Sequence, residues 1–271
     1  ARAVQCHTRG WFGCLTLRSD CDVAPPKDYG RIIDTFVAAV LYSGNVTFAK
    51  SLLQPVHGMA ATMLEKHAAS VAAHPQGHPW HGMVYGSPEH DICGAPGYFF
   101  SVNVWHIRGL DSLGKLHAEF PSLSTNATLE AQLLPTATEW RGNVRFAANF
   151  TAVRKADGSG ELYFLSPVVG SLYGRTESAS TPLLPGGSEA DCYNRSTCFA
   201  SMSAGLPGGG SNQHTNYANF RIFSESLLAG VLDREFELAI MTFREARRGT
   251  LSGMTRFRDL LDDMPILGYG K

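Results

Sequence analysis

The run Gly97-Tyr98-Phe99-Phe100-Ser101-Val102-Asn103-Val104-Trp105 decides how the chain is read. Tyr98, Phe100, Val102 and Val104 share one parity, against Ser101 and Asn103 on the other, which predicts a half-buried strand. Downstream the alternation recurs. Leu116, Ala118 and Phe120 alternate with Lys115, His117 and Glu119, and Ala127, Leu129, Ala131 and Leu133 with Thr128, Glu130 and Gln132. Phe146, Ala148 and Phe150 alternate with Arg145, Asn149 and Thr151. Ala156-Asp157-Gly158-Ser159-Gly160 then reads as a hairpin loop before a strand over 162–169. Consecutive strands with short links pair mostly antiparallel. The glycosylation sequons at Asn126 and Asn149 both fall on the polar parity, so the expected sheet has one wet face.

Upstream the period changes. Ile32, Ile33, Phe36, Val37, Val40 and Leu41 form one helical stripe, with Asp28 as N-cap and Ser43-Gly44-Asn45 as the stop. A second helix is expected over 47–72, carrying Phe48, Leu52, Val56, Met59, Met63 and Leu64, with a kink or break at Pro55. Residues 74–97 read as a loop rich in Pro, Gly and His. Beyond the sheet, 176–216 reads as an irregular loop with Pro185-Gly186-Gly187 and Pro207-Gly208-Gly209-Gly210. The longest element follows, over 219–248, its stripe formed by Phe220, Phe223, Leu227, Leu228, Val231, Leu232, Phe236, Ala239, Ile240 and Phe243. As an unbroken helix it would be about 45 Å long. A short amphipathic helix with Met254, Phe257, Leu261 and Met264 closes the chain. The expected fold class is α+β, a strongly curved antiparallel sheet wrapped around the long C-terminal helix. It divides into a cysteine-bearing arm at 1–27 and one α+β domain at 28–271.

Composition bounds the function. With 271 residues, 44% of them hydrophobic and 17% charged, the chain can build a real core, which excludes a disordered polymer. A net charge of −1 supplies no basic field for nucleic acid. No apolar run reaches the roughly 18 residues of a spanning helix, so no transmembrane segment is expected. Cys6, Cys14, Cys21, Cys93, Cys192 and Cys198 are even in number and clustered, and sequence alone leaves their pairing open. The short separation makes Cys192–Cys198 the expected bridge. Asn45, Asn126, Asn149 and Asn194 each head an Asn-x-Ser/Thr sequon. Cysteines and sequons together point to an extracellular, secreted glycoprotein. The start at Ala1 suits a chain whose signal peptide has been removed, or an excised ectodomain.

Chemistry is sparse. His74, His78 and His81 form His-x3-His-x2-His, with His90, Asp91 and Cys93 shortly after, a spacing that binds zinc or copper if the loop wraps an ion. Pro75 and Pro79 oppose the helix that would align them, which favours a solvated loop instead. No nucleophile elbow, zincin motif or phosphate loop is present. Glu65, Asp111, Glu119, Glu130, Glu139 and Asp157 are scattered, without a pair set for acid–base work. The expectation is therefore no enzyme and no cofactor.

The segment Val102-Asn-Val-Trp-His-Ile-Arg-Gly-Leu-Asp-Ser-Leu113 resembles a strand and turn of the tubular lipid-binding superfamily, which includes the takeout and juvenile-hormone-binding proteins and the group 7 mite allergens. Leu129-Glu-Ala-Gln-Leu-Leu-Pro135 and Trp140-Arg-Gly-Asn-Val144 are similar to its next strands. The resemblance implies a non-catalytic carrier or transport protein with an elongated apolar cavity for a lipid or another hydrophobic small molecule. Burial of ligand chain, at about 0.8 kcal/mol per CH₂, would drive binding. Strand parity assigns Val102, Val104, Leu129, Leu133, Phe146 and Phe150 to that cavity, with Phe223, Leu227 and Val231 from the helix. Two alternatives compete. One is an adhesion ectodomain with a filled core and a protein receptor, and the other a metal-dependent secreted enzyme using the His74–His81 segment.

Overall fold

A computed structural model describes residues 28–86, 98–154, 158–165, 169, 226–246, 250–251 and 254–255. The two helices expected upstream are present. Helix α1 spans Tyr29–Ser43 and stops where Gly44 turns left-handed at φ 63° and donates its N–H to Val40 O. Helix α2 spans Val46–Ala73, continuous through Pro55, with the Asn45 side chain accepting the Phe48 N–H as its N-cap.

The curved sheet expected from 98 onward is corrected. Phe100–Glu119 is helix α3 and Ala127–Thr151 is helix α4, joined by a 3₁₀ turn at Pro121–Leu123. Among the described residues, strands occur only as two antiparallel pairs. One joins β1 (Val153–Arg154) to β2 (Leu162–Phe164), and the other β3 (Thr250–Leu251) to β4 (Met254–Thr255). The tubular roll implied by the Val102–Leu113 resemblance is therefore not formed among the described residues, because that segment lies within α3.

Helix α3 is the central element, packed between α1 and α4, and it is buried nearly all round. Ser101 and Asn103, read as a wet strand face, are buried together with Phe100, Val102 and Val104. A helix enclosed on most sides carries no clean amphipathic stripe. Two glycines on α3 admit its neighbours. A Cβ at Gly109 would lie 2.6 Å from Gly30 O of α1, and one at Gly114 would lie 2.7 Å from Leu134 Cγ of α4. At this crossing Asp34 of α1 accepts from Ser112 Oγ at 2.5 Å and Arg108 Nε at 2.9 Å.

Helix α4 buries Leu129, Leu133, Ala137, Trp140, Val144 and Ala147, steps of three and four along one face. One buried amide fastens it. Asn103 Oδ1 accepts from Val84 N–H at 2.8 Å and Trp140 Nε1–H at 3.0 Å, while Nδ2 donates to Phe99 O at 2.8 Å and Val84 O at 3.3 Å. A polar side chain so deep in the core stays because all its hydrogen-bonding capacity is used.

The long terminal helix is corrected as well. The chain turns at Gly230, φ 61°, and restarts as α5, Arg234–Ala246, with Asp233 O accepting from Phe236 and Glu237 N–H. Asp233 also takes both Nε and Nη2 of Arg145, at 2.6 and 2.8 Å, which ties the start of α5 to α4. Met254 stands in β4, so the expected closing helix does not begin there. The arm at 1–27, the loop at 176–216, Phe220 and Phe223 lie outside the described residues.

Candidate metal centre

Three helices bring one polar side chain each to a common point. His57 follows Leu53 by one turn on the buried face of α2, and His117 follows Leu113 by one turn on α3. Glu130 sits in the first turn of α4. Its position follows from how that helix starts: Asn126 is the N-cap and its side chain accepts Leu129 N–H at 3.1 Å. Glu130 reaches back, Oε1 accepting Thr125 and Asn126 N–H, each at 2.9 Å, and Oε2 accepting the Ser124 hydroxyl at 2.5 Å. This is a variant of the capping box, and it holds the carboxylate in one orientation.

The imidazoles meet edge to edge, His57 Nε2 and His117 Nε2 being 3.0 Å apart. His117 Nδ1 lies 4.0 Å from Glu130 Oε1, and that buried nitrogen has no hydrogen-bond partner. One ligand atom from each of the three residues lies within 4.8 Å of the other two. Ligands about 2.0–2.1 Å from a tetrahedral ion stand about 3.3 Å apart, so side-chain adjustment alone would close this set on an ion.

Electrostatics agree with the chemistry of ligands. Burial lowers the His57 pKa, the adjacent His117 lowers it further, and Glu130 opposes both. Burial likewise lowers that of His117, against the pull of Glu130. Both rings are thus neutral near pH 7, the form that donates a lone pair to a metal. Burial raises the Glu130 pKa, but the hydrogen bonds from Ser124, Asn126 and Thr125, with help from His117, hold it down to about 2. Beside this cluster lies an open pocket of about 530 Å³, lined by His57 with Lys50, Gln54, Leu53, Thr125 and Leu129 among others.

The histidines singled out by spacing behave differently. His74 Nε2 meets the Tyr98 hydroxyl at 2.9 Å, and His81 Nδ1 meets His74 O at 2.7 Å. His78 Nδ1 accepts Trp80 N–H at 3.2 Å, and its ring stacks on His74 with centroids 5.0 Å apart. His74 and His78 form an aromatic joint with Trp80 and Tyr98, and among the described residues the only ligand cluster is His57, His117 and Glu130. His90, Asp91 and Cys93 lie outside the described residues, as do the other five cysteines.

The described residues among those assigned to an apolar cavity differ in placement. Val104, Leu129, Leu133 and Val231 belong to the packed core, and Val102 is buried. Phe150 and Leu227 are half-buried, and Phe146 is 45% exposed. The elongated hollow has therefore lost the sheet it was built from. Asn45, Asn126 and Asn149 are all exposed, while Asn194 lies outside the described residues. No helix among the described residues is long and apolar enough to cross a membrane.

Sequence reasoning passed over His57, His117 and Glu130. They are 60 and 13 positions apart and form no local motif, and strand parity had put His117 and Glu130 on a wet face. The usable signal was the Asn126-Ala-Thr-Leu-Glu130 start of a helix, together with a histidine one turn after a core leucine in two other helices. No known protein family, curated protein or solved structure matches this chain.

Proposed function

We propose that this chain is a secreted, glycosylated helical protein that holds one divalent transition-metal ion between α2, α3 and α4. The observation that carries the reading is the convergence of His57, His117 and Glu130, one ligand atom of each lying within 4.8 Å of the other two. Two imidazoles and one carboxylate match the borderline preference of zinc and its neighbours, and they leave a further coordination position open. The Ser124 hydroxyl and the Thr125 and Asn126 N–H groups form the outer shell that orients the carboxylate. Extracellular placement rests on the six cysteines and four sequons, and the exposure of Asn45, Asn126 and Asn149 supports it.

Equilibrium dialysis of the full chain against zinc at pH 7.5 tests the reading. One ion per chain is expected, with affinity weakened more than about tenfold in both His57→Ala and Glu130→Gln. Circular dichroism would show both variants folded. A folded wild-type chain that takes up no zinc, or equal uptake by both variants, would overturn it and leave a neutral histidine pair over a helix cap.

A further inference from the structure

The turn between α1 and α2 carries unusual apolar surface. Tyr42 is 96% exposed, and Leu41 and Phe48 are exposed to either side of it in sequence. Asn45-Val46-Thr47, an acceptor for N-linked glycan, stands within this stretch, and Asn45 and Thr47 are both exposed. The Asn45 amide is set for modification. Its Oδ1 accepts Phe48 N–H at 2.9 Å, and among the described residues Nδ2, the atom that carries a sugar, has no hydrogen-bond partner. Glycosylation keeps Oδ1, so the helix cap survives it. Gly44, left-handed at φ 63°, turns the chain between the two helices, and three residues of chain span at most about 11 Å. Tyr42 is therefore within reach of the first sugars on Asn45.

The other described sequons are built differently. Three residues before Asn126 stands Leu123, which is buried. Three before Asn149 stands Phe146, which is exposed, but there Nδ2 donates to Arg145 O at 3.1 Å and Oδ1 accepts from Arg154 Nη2 at 3.4 Å. We infer that a glycan on Asn45 folds back over Tyr42, the C–H face of its first sugar lying on the ring, and so covers the apolar corner. This rests on the secreted, glycosylated reading above and not on the metal ion. Covering a large exposed ring is favourable, and the negative face of the ring attracts the polarised C–H groups of a sugar.

The test uses the full chain secreted from eukaryotic cells with oligomannose glycans, trimmed enzymatically to a single N-acetylglucosamine at each site. Peptide mass mapping should find Asn45 occupied. Thr47→Ala removes the acceptor and keeps Asn45 as helix cap. Trimmed wild type should melt about 2–4 °C above it, the scale of one aromatic contact in a chain of this size. In the Tyr42→Ala background, which alters only an exposed ring, the same comparison should give a difference near zero. Sugars at the other sequons are common to all four proteins and cancel. Nuclear magnetic resonance of the trimmed wild type is the second measurement. An N-acetylglucosamine proton signal shifted upfield by the ring is expected, absent in Thr47→Ala and in Tyr42→Ala. An unoccupied Asn45 in a chain glycosylated elsewhere, an equal melting difference with and without Tyr42, or no upfield signal overturns this inference alone. A secreted chain with no glycan at any sequon removes the glycoprotein reading together with it.

Discussion

Acid sensitivity gives the sharpest account of one core residue. His67 of α2 is 3% exposed, its ring 4.6 Å from the Trp140 ring, with Asn143 Nδ2 3.5 Å from Nε2. Burial, with the nearby His81 adding to it, lowers its pKa from 6.5 to about 4. The unfolded chain therefore takes up this proton first as pH falls. Stability from the neutral buried ring is complete above about pH 6.5 and is lost between there and about 4. At 1.36 kcal/mol per pH unit, about 2.5 kcal/mol should be gone by pH 4.5. His67→Gln removes the titration and keeps an acceptor for Asn143. Urea denaturation of both proteins at pH 7.5 and 4.5 measures the effect. Whatever stability the variant loses at pH 7.5, it should lose about 2.5 kcal/mol less than wild type on acidification. The other histidines with lowered pKa values, His57, His74, His78 and His117, remain in both proteins and cancel. Parallel acid limbs, agreeing within about 0.5 kcal/mol, would refute a neutral buried His67 as the source.

Two further substitutions probe how the helices are joined. Asn103→Leu strands the Trp140 Nε1–H and both polar groups of Val84 in the core, and should cost about 3–5 kcal/mol in urea denaturation. A loss below about 1 kcal/mol would mean that water replaces the amide. Gly30→Ala sets a Cβ 2.0 Å from Trp105 O, a backbone atom that cannot swing aside. It should cost about 2–3 kcal/mol by prising α1 from α3, read as a lowered Tm, whereas an unchanged Tm would deny the close crossing.

Part of this architecture was legible in the sequence, and the misreading has a specific cause. Helices α1 and α2 begin and end close to where the sequence places them, at Gly44 and Asn45, although Leu41 and Phe48 of the expected stripes are exposed. In α4, Leu129 and Leu133 stand four apart, an even spacing that serves both one strand face and one helix face. Windows of five to seven residues cannot separate the two periods. Only the longer series through Ala137, Trp140 and Val144, with its odd step of three, selects the helix. Helix α3 was harder, because a segment enclosed by α1 and α4 buries Ser101 and Asn103 alongside its valines. The sequons reinforced the error, since Asn126 and Asn149 are exposed on a helix as readily as on a strand. The candidate metal cluster was illegible for a related reason. Three ligands from three helices meet only once the packing is known, and Glu130 becomes a candidate only when Asn126 is seen as a helix cap.

X-ray absorption at the zinc edge of the loaded chain addresses the central claim most directly. Two imidazole nitrogens and one carboxylate oxygen should make up the inner sphere, at about 2.0–2.2 Å, with a light exchangeable atom in the remaining place. A sphere built of sulfur, or one left unchanged by His57→Ala, would place the ion elsewhere on the chain and contradict the account.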